Sequence, residues 1–314
     1  MEQLFICGID SVVGANMAAH LADKYRVLGI SSTTPVFIEG CETAVTPADD
    51  AHAVRQLAAC HRPDRIIVCG AAGDTAWHRV AGPIASLTAM ESARSWTRTA
   101  GELGIPLTLI SSDAVFTGPW MFHDETSISY CTSTQACSLR TLEGLALQAS
   151  PQSLVVRTHS YGWSPLADGP GWIEGIVAAL DSERPGIFEC GPHATPILAT
   201  DLAEMLPRCW EAGLSGVYHI AGAERVNPHR FVSALARVFD LAPPRASILA
   251  PAEAAGAAFF GQGETSLRTQ AAHRALGLPM PMLIEGLQRL REQKNDGLDR
   301  RFRGNRRLAT SKVA

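Results

Sequence analysis

Leu4-Phe-Ile-Cys-Gly-Ile-Asp-Ser-Val-Val-Gly14 is the stretch on which the fold turns. Leu4 to Cys7 is apolar without alternation, the pattern of a strand covered on both faces. Gly8-x-x-Ser11-x-x-Gly14 then reads as a turn opening a helix that runs to about Lys24, with Val13, Met17, His20 and Leu21 at helical spacing. Small residues in such a turn let the backbone approach a pyrophosphate, whose charge a helix N-terminus favours. Two of the three expected glycines are present, and Ser11 holds the middle position. The pattern is short, and its weight comes from its place at the head of an alternating chain.

The alternation continues outward from that turn. Strands are predicted at Arg26 to Ile30, Pro63 to Cys69, Pro106 to Ser111 and residues 153–157. Helices are predicted between them. One runs from Ala48 to Cys60, opened by Pro47, Asp49 and Asp50, one from about Ile84 to Leu103, ended by Gly104, and one over 134–149. Past Tyr161-Gly-Trp the order loosens, with Gly and Pro at 165–171 and two prolines within 189–196. Helices over 201–212, 228–239, 265–276 and 282–292, with a strand from Val217 to Ile220, complete the reading. The fold class is α/β: a Rossmann-like, doubly wound parallel sheet with a smaller C-terminal substrate-binding lobe. The expected organisation is a dinucleotide-binding domain over 1–160 and a lobe over 161–293 with segments returning to the sheet. Residues 294–314 are expected to form a basic, disordered tail.

Bulk properties narrow the classes. The chain of 314 residues is 46% hydrophobic and 18% charged, ample for a large core. There is no apolar run long enough to span a bilayer and no basic leader, and the eight cysteines show neither C-x-x-C nor a His-paired metal spacing. A reduced, cytoplasmic protein without a metal is expected. The net charge of −4 is uneven: the last 21 residues carry seven basic against two acidic groups, leaving the body at −9. A solvated terminus is the simpler account of that tail than a nucleic-acid contact.

Further segments carry a family resemblance: Pro63-Asp-Arg-Ile-Ile-Val-Cys-Gly-Ala-Ala72, Ile110-Ser-Ser-Asp-Ala-Val-Phe-Thr-Gly118, Val156-Arg-Thr158, Thr195-Pro-Ile-Leu-Ala-Thr-Asp-Leu-Ala203, Gly216-Val-Tyr-His-Ile-Ala-Gly222 and Ser266-Leu-Arg-Thr. With the first turn, these resemble the extended short-chain dehydrogenases, and among them the dTDP-4-dehydrorhamnose reductases. The resemblance implies hydride transfer between a nicotinamide and a sugar-nucleotide carbonyl. In that chemistry a Tyr moves the proton, a Lys lowers the Tyr pKa and holds the cofactor ribose, and a Ser or Thr polarises the carbonyl. Ser112 matches the Ser/Thr, and Glu143 matches the Glu that follows the Tyr-x-x-x-Lys pair. The Tyr position then reads Gln135 and the Lys position Leu139. The lysines are Lys24, Lys294 and Lys312, so no shift of register restores the pair. The family's Asn is also missing from Thr88-Ala-Met-Glu91.

Candidate residues follow. Gly8, Ser11, Gly14, Ser31, Ala71 and Ala72 would contact a dinucleotide. The second strand is followed by hydroxyls, Ser31 to Thr34, and not by an acidic residue or an arginine; hydroxyls suit a ribose better than a 2′-phosphate, so NAD is favoured over NADP. Ser112 and Tyr130 are the catalytic candidates, and Asp113, Arg157 and His159 the substrate-contacting ones. Tyr130 is followed four residues later by Thr134, and a phenol without a cationic neighbour is a poor proton donor near neutrality, since it titrates at about 10. Trp77 and His78 could stack on a ligand ring but are read first as loop-packing residues, and the loop with Trp120, Phe122 and His123 would either line a sugar pocket or cover the sheet edge.

Two functions are expected from these residues. In one, the chain binds a nucleotide or nucleotide-sugar without ordinary reduction and serves a protein partner or pairs with a second copy. In the other, it is a pathway enzyme using Ser112 with Tyr130 or His159. No membrane contact is expected.

Overall fold

The computed structural model describes residues 1–33, 35–48, 50–70, 75–77, 87–166, 171–182, 187–189, 192–247 and 263–302. Its main sheet is built from β1 (Gln3–Cys7), β2 (Arg26–Ser31), β3 (Glu42–Val45), β4 (Arg65–Val68), β5 (Leu107–Ser112), β6 (Leu154–Thr158) and β10 (Gly216–His219). Between and after these lie β7 (Ser160–Tyr161), β8 (Ile187–Glu189), β9 (Ile197–Leu198) and β11 (Arg245–Ser247). The seven strands run in the order β10-β6-β5-β4-β1-β2-β3, and every pairing is parallel. The strand order therefore reverses between β1 and β4, which places a crevice at the carboxyl ends of those two strands.

Helices cover both faces of the sheet, which explains its unbroken apolar strands. α1 (Val12–Leu21) packs against α6 (Ala199–Glu211). α2 (Ala51–His61), α3 (Leu87–Leu103) and α4 (Thr134–Ala149) lie side by side. Three of these starts, those of α1, α2 and α4, have a side-chain cap: Ser11, Asp50 and Ser133 accept the N–H groups of Gly14, Ala53 and Ala136. The core runs through Leu4, Phe5, Ile6, Ile67, Leu109, Val155 and Trp96, all buried.

The C-terminal half holds α5 (Trp172–Asp181), α7 (Pro228–Phe239), α8 (Gln270–Leu276), α9 (Leu283–Asn295) and α10 (Leu298–Arg301). It is tied back to the sheet through β10, which pairs with β6, and through Asn16, whose amide donates to Val12 O and Trp163 O at 2.7 Å each. The helix predicted from Thr265 begins only at Gln270, because Thr265 to Thr269 runs as a connecting segment. The described part continues past Lys294 through α10, with Arg301 O accepting from Glu39 N and Phe302 buried; the basic residues from 303 on lie outside the described residues.

Two glycines are obligatory at the crevice. Gly8 has φ +85°, and a Cβ there would stand 2.7 Å from Gly70 N at the end of β4. On Gly14 a Cβ would stand 2.3 Å from Gly8 O. A helical Gly→Ala change ordinarily gains up to about 1 kcal/mol. Here the overlap is with backbone that cannot swing aside, and overpacking of that kind costs about 1–3 kcal/mol. Gly14→Ala is therefore expected to lower stability, seen as a reduced urea midpoint with an unchanged m-value.

Candidate functional site

The site forms where β1, β4, β5 and β6 end. β5 and β6 are in register so that Ser111 lies beside Arg157 and Ser112 beside Thr158, and Arg157 in turn lies beside His219 of β10. Successive strand residues point to opposite faces. One row, Ser111–Arg157–His219, thus shares one face, and Ser112 and Thr158 share the other.

The first row is closed by an ion pair. Arg157 donates Nε to Glu143 Oε1 at 2.9 Å and Nη2 to Oε2 at 2.7 Å, and Ser111 Oγ donates to Oε1 at 2.6 Å. Both charged side chains are about 5% exposed. A bidentate guanidinium–carboxylate pair of this depth is stable only while both partners remain. Glu143, matched in sequence to the Glu after the missing Tyr-x-x-x-Lys, thus holds β6 to α4. Arg157 contributes its charge here, and only its buried Nη1 lacks a partner. His219 sits next to it, and burial together with the Arg157 charge pushes its pKa down to about 3.

Tyr130 sits over this pair. It stacks on Phe116 with ring centroids 5.5 Å apart. The sequence offered it no lysine, but the structure supplies arginines: Arg140 Cζ lies 3.9 Å from its ring centroid and Arg157 Cζ 5.8 Å. The expectation of a tyrosine without a cationic neighbour is corrected on this point. Arg140 meets the ring face, a cation–π arrangement, while Arg157 also interacts with Tyr130 through a side-chain hydrogen bond.

The second row leads to Asp113, fully buried at the start of a short 3-10 turn, Asp113–Val115. Its Oδ1 accepts Ala76 N at 3.1 Å and Ser112 Oγ at 3.3 Å, and its Oδ2 accepts Thr265 Oγ1 at 2.6 Å. His159 Nδ1 lies 2.8 Å from the same Oδ2. Ser112 Oγ also accepts Ala114 N at 3.1 Å, capping the turn. Ser112, Asp113 and His159 are therefore brought together as a buried cluster. Sequence reading did not single out Thr265 or Ala76, its other members; Thr265 lies 152 residues from Asp113, and no one-dimensional pattern joins them. Around the cluster, Thr75 Oγ1, Trp77 Nε1, Thr158 Oγ1, His159 Nε2 and Trp172 Nε1 are buried without hydrogen-bond partners.

At the family's Tyr and Lys positions, Gln135 is half-buried in the first turn of α4, and Leu139 is 1% exposed, packed into the core. At the cofactor end, Gly8 and Gly14 shape the turn, and Ser11 Oγ donates to Gly8 O at 2.7 Å while accepting Gly14 N at 3.1 Å. Ser31, at the end of β2, is buried with an unpartnered Oγ. Thr34, Ala71, Ala72 and His78 fall outside the described residues. The turn and the free hydroxyl fit the pyrophosphate and adenosine ribose of a dinucleotide. Leu139 offers nothing to the nicotinamide ribose. The loop with Trp120, Phe122 and His123 lines a separate open pocket of about 480 Å³ with Asp124, Ile128 and Arg268.

A parallel sheet with a glycine turn at its switch point and polar groups gathered at the strand ends is a Rossmann-like architecture. The chain belongs to the RmlD substrate binding domain family, whose model matches residues 1–294. Among solved structures, it resembles a dTDP-4-dehydrorhamnose reductase from Bacillus anthracis in complex with NADP (19% identity, TM-score 0.75, 93% of this chain and 99% of that one). It also resembles a UDP-glucose 4-epimerase from Thermotoga maritima with UDP-glucose (14%, 0.75, 94% and 99%) and the Bordetella bronchiseptica enzyme WbmH with NAD+ (16%, 0.74, 92% and 96%). No curated protein matches the chain. Among the described residues no helix is long and apolar enough to cross a membrane, and no group of three or more His, Cys, Asp or Glu side chains could hold a metal ion.

Two outcomes are expected. Glu143→Ala leaves the Arg157 charge buried and uncompensated, a loss of about 3–5 kcal/mol measurable by urea unfolding. An unfolded histidine titrates at about 6.5, whereas folded His219 does so near 3. Between those values the unfolded chain binds the extra proton, so the neutral His219 site is fully tolerated above pH 6.5 and costs stability as pH falls toward 3. Burial lowers His123 in the same sense. Urea midpoints should fall from pH 7 to pH 4.5, and His219→Gln should flatten that fall by about 1.4 kcal/mol per pH unit at most.

Proposed function

We propose that this protein binds a nucleotide-sugar at the carboxyl ends of the sheet, with a nicotinamide dinucleotide at the Gly8–Gly14 turn, and lacks the family's ordinary hydride-transfer activity. The observation that carries this reading is Leu139. Where the resemblance requires a lysine, a leucine is sealed into the core, and four residues earlier Gln135 cannot serve as the acid that a tyrosine would be. A positioned acid or base contributes about 10²–10⁴-fold to such a reaction, and the loss of the ribose-holding cation adds to it.

A bound dinucleotide would supply the hydride chemistry. Gly8 and Gly14 would admit its pyrophosphate, and Ser31 would meet the adenosine ribose. Of the two forms we favour NAD, since a lone hydroxyl is a poor clamp for a 2′-phosphate. Residues 161–293 would furnish the sugar side of the cleft. The relatives whose structures contain UDP-glucose, NADP or NAD+ support this choice of ligands. A role as a cytoplasmic binding or partner subunit, a pseudoenzyme on a reductase scaffold, follows from the same reading.

Calorimetric titration with NADH, NADPH, UDP-glucose and dTDP-glucose, followed by an oxidation assay with a dTDP-4-keto-sugar, tests it. Expected are binding of a nucleotide-sugar, tighter binding of NADH than of NADPH, and turnover at least a thousandfold below an active family member. Robust turnover that survives Tyr130→Phe and Ser112→Ala would overturn the account.

A further inference from the structure

We propose that His159, aligned by Asp113, is the residue that hydrogen-bonds a hydroxyl of the bound ligand's sugar, and that Trp77 is the side chain the sugar displaces to reach it. The inference rests on the nucleotide-sugar reading above and names the contact within it.

The geometry fixes the imidazole. Asp113 is a carboxylate that accepts from Ala76 N, Ser112 Oγ and Thr265 Oγ1, so it cannot rotate toward another partner. With Nδ1 held 2.8 Å from that carboxylate, Nδ1 is the donor, and in the tautomer protonated there the ring presents its lone pair at Nε2. That atom is fully buried and unpartnered. Buried polar atoms in folded proteins are nearly always paired, and each exception calls for an explanation. Among the described residues there are several such exceptions, and His159 Nε2 and Trp77 Nε1 belong to two rings in contact. Thr158 Oγ1 precedes His159, Thr75 Oγ1 flanks Ala76, and the indole nitrogens of Trp77 and Trp172 belong to rings 6.5 Å apart. A purely structural histidine would need only its Asp113 bond. His159 Nε2, with the Trp77 ring 4.4 Å from its own, is a buried polar atom that a ligand hydroxyl would satisfy.

Trp77 is the cover. Its ring lies edge-on to His159 at 4.4 Å, and it rests against Trp172 and Phe231 through edge contacts. Its hold on this position is through ring packing, because its Nε1 makes no hydrogen bond. A pyranose entering beside it gains C–H contacts with the indole faces and gives Nε2 of His159 the O–H donor it lacks. The contact differs in kind from a tyrosine–lysine pair: the group meeting the sugar oxygen is an acceptor held by a carboxylate.

Uniformly ¹⁵N-histidine-labelled protein, titrated with UDP-glucose and with dTDP-glucose, reports directly on Nε2. The expected result is a shift of the His159 Nε2 resonance toward that of a hydrogen-bonded acceptor, accompanied by a change in tryptophan emission that Trp77→Phe removes. Calorimetry should show at least tenfold weaker sugar-nucleotide binding by His159→Leu, with partial recovery in His159→Gln, whose amide oxygen can still accept. If a sugar nucleotide binds while the Nε2 resonance and Trp77 emission stay unchanged, this inference fails and the nucleotide-sugar reading stands. If NADH alone produces both changes, the contact belongs to the dinucleotide and the sugar assignment is overturned. If neither sugar nucleotide binds the wild-type protein, both the reading and the inference fall. The resonance measurement uses the unmutated chain, so it decides the matter even if the His159 variants do not fold.

Discussion

The carboxylate of Asp113 is the constraint around which the strand ends are arranged. A buried charge costs several kcal/mol unless its oxygens are satisfied, and here each oxygen takes two donors. Those donors come from four different parts of the chain: the segment after β4, the end of β5, the residue after β6, and the stretch before α8. Meeting the needs of one anion therefore fixes the relative positions of three strands and closes the C-terminal half onto the sheet. It also explains why Thr265 to Thr269 is not helical. Thr265 must reach Asp113 with its side chain while its backbone N–H donates to His193 O, and a helix opening there would turn both away.

The opposite face of the same strands is organised by a second buried charge with a different logic. Glu143 and Arg157 satisfy one another, and Ser111 completes the carboxylate. In a family built around a lysine on this helix, α4 would present a cation to the ligand side. Here α4 turns Ala136, Leu139, Leu142, Glu143 and Ala146 inward, and its cation, Arg140, lies outside over the Tyr130 ring. The positive charge has moved from the end of an acid–base relay to the face of an aromatic ring, where it holds a loop.

Much of the scaffold could be read in one dimension, because strand and helix periodicities are local. α4 was predicted with its observed limits, and the turn at Gly8 with its position. β3 was not found: Glu42-Thr-Ala-Val45 is a polar edge strand without alternation. α5 was missed because the Gly/Pro-rich run before Trp172 masks its start. The candidate site was legible only as a set of residue types. Ser112, Asp113 and His159 could be named from their places at strand ends, but Asp113 meets partners 37, 46 and 152 residues away. Nor could sequence distinguish Arg157, held in an ion pair, from an arginine free to meet a phosphate. That difference depends on Glu143, fourteen residues back on another element.

The absence of lysine between Lys24 and Lys294 acquires a structural meaning through these two charges. Removing a catalytic lysine from a polar cleft would leave a hole or an unpaired neighbour. Neither remains at Leu139, because the side chain is apolar, buried and continuous with the core beneath α4. Unpaired polar atoms remain at the strand ends, among them His159 Nε2, Trp77 Nε1, Arg157 Nη1 and His219 Nε2. Selection for folding alone fills or pairs such atoms, since each costs about 1–3 kcal/mol when left unsatisfied. Such atoms occur on both faces of the strand ends, Arg157 Nη1 and His219 Nε2 on the side of α4 and His159 Nε2 and Trp77 Nε1 on the other, so polar demand at this end of the sheet is not confined to one wall.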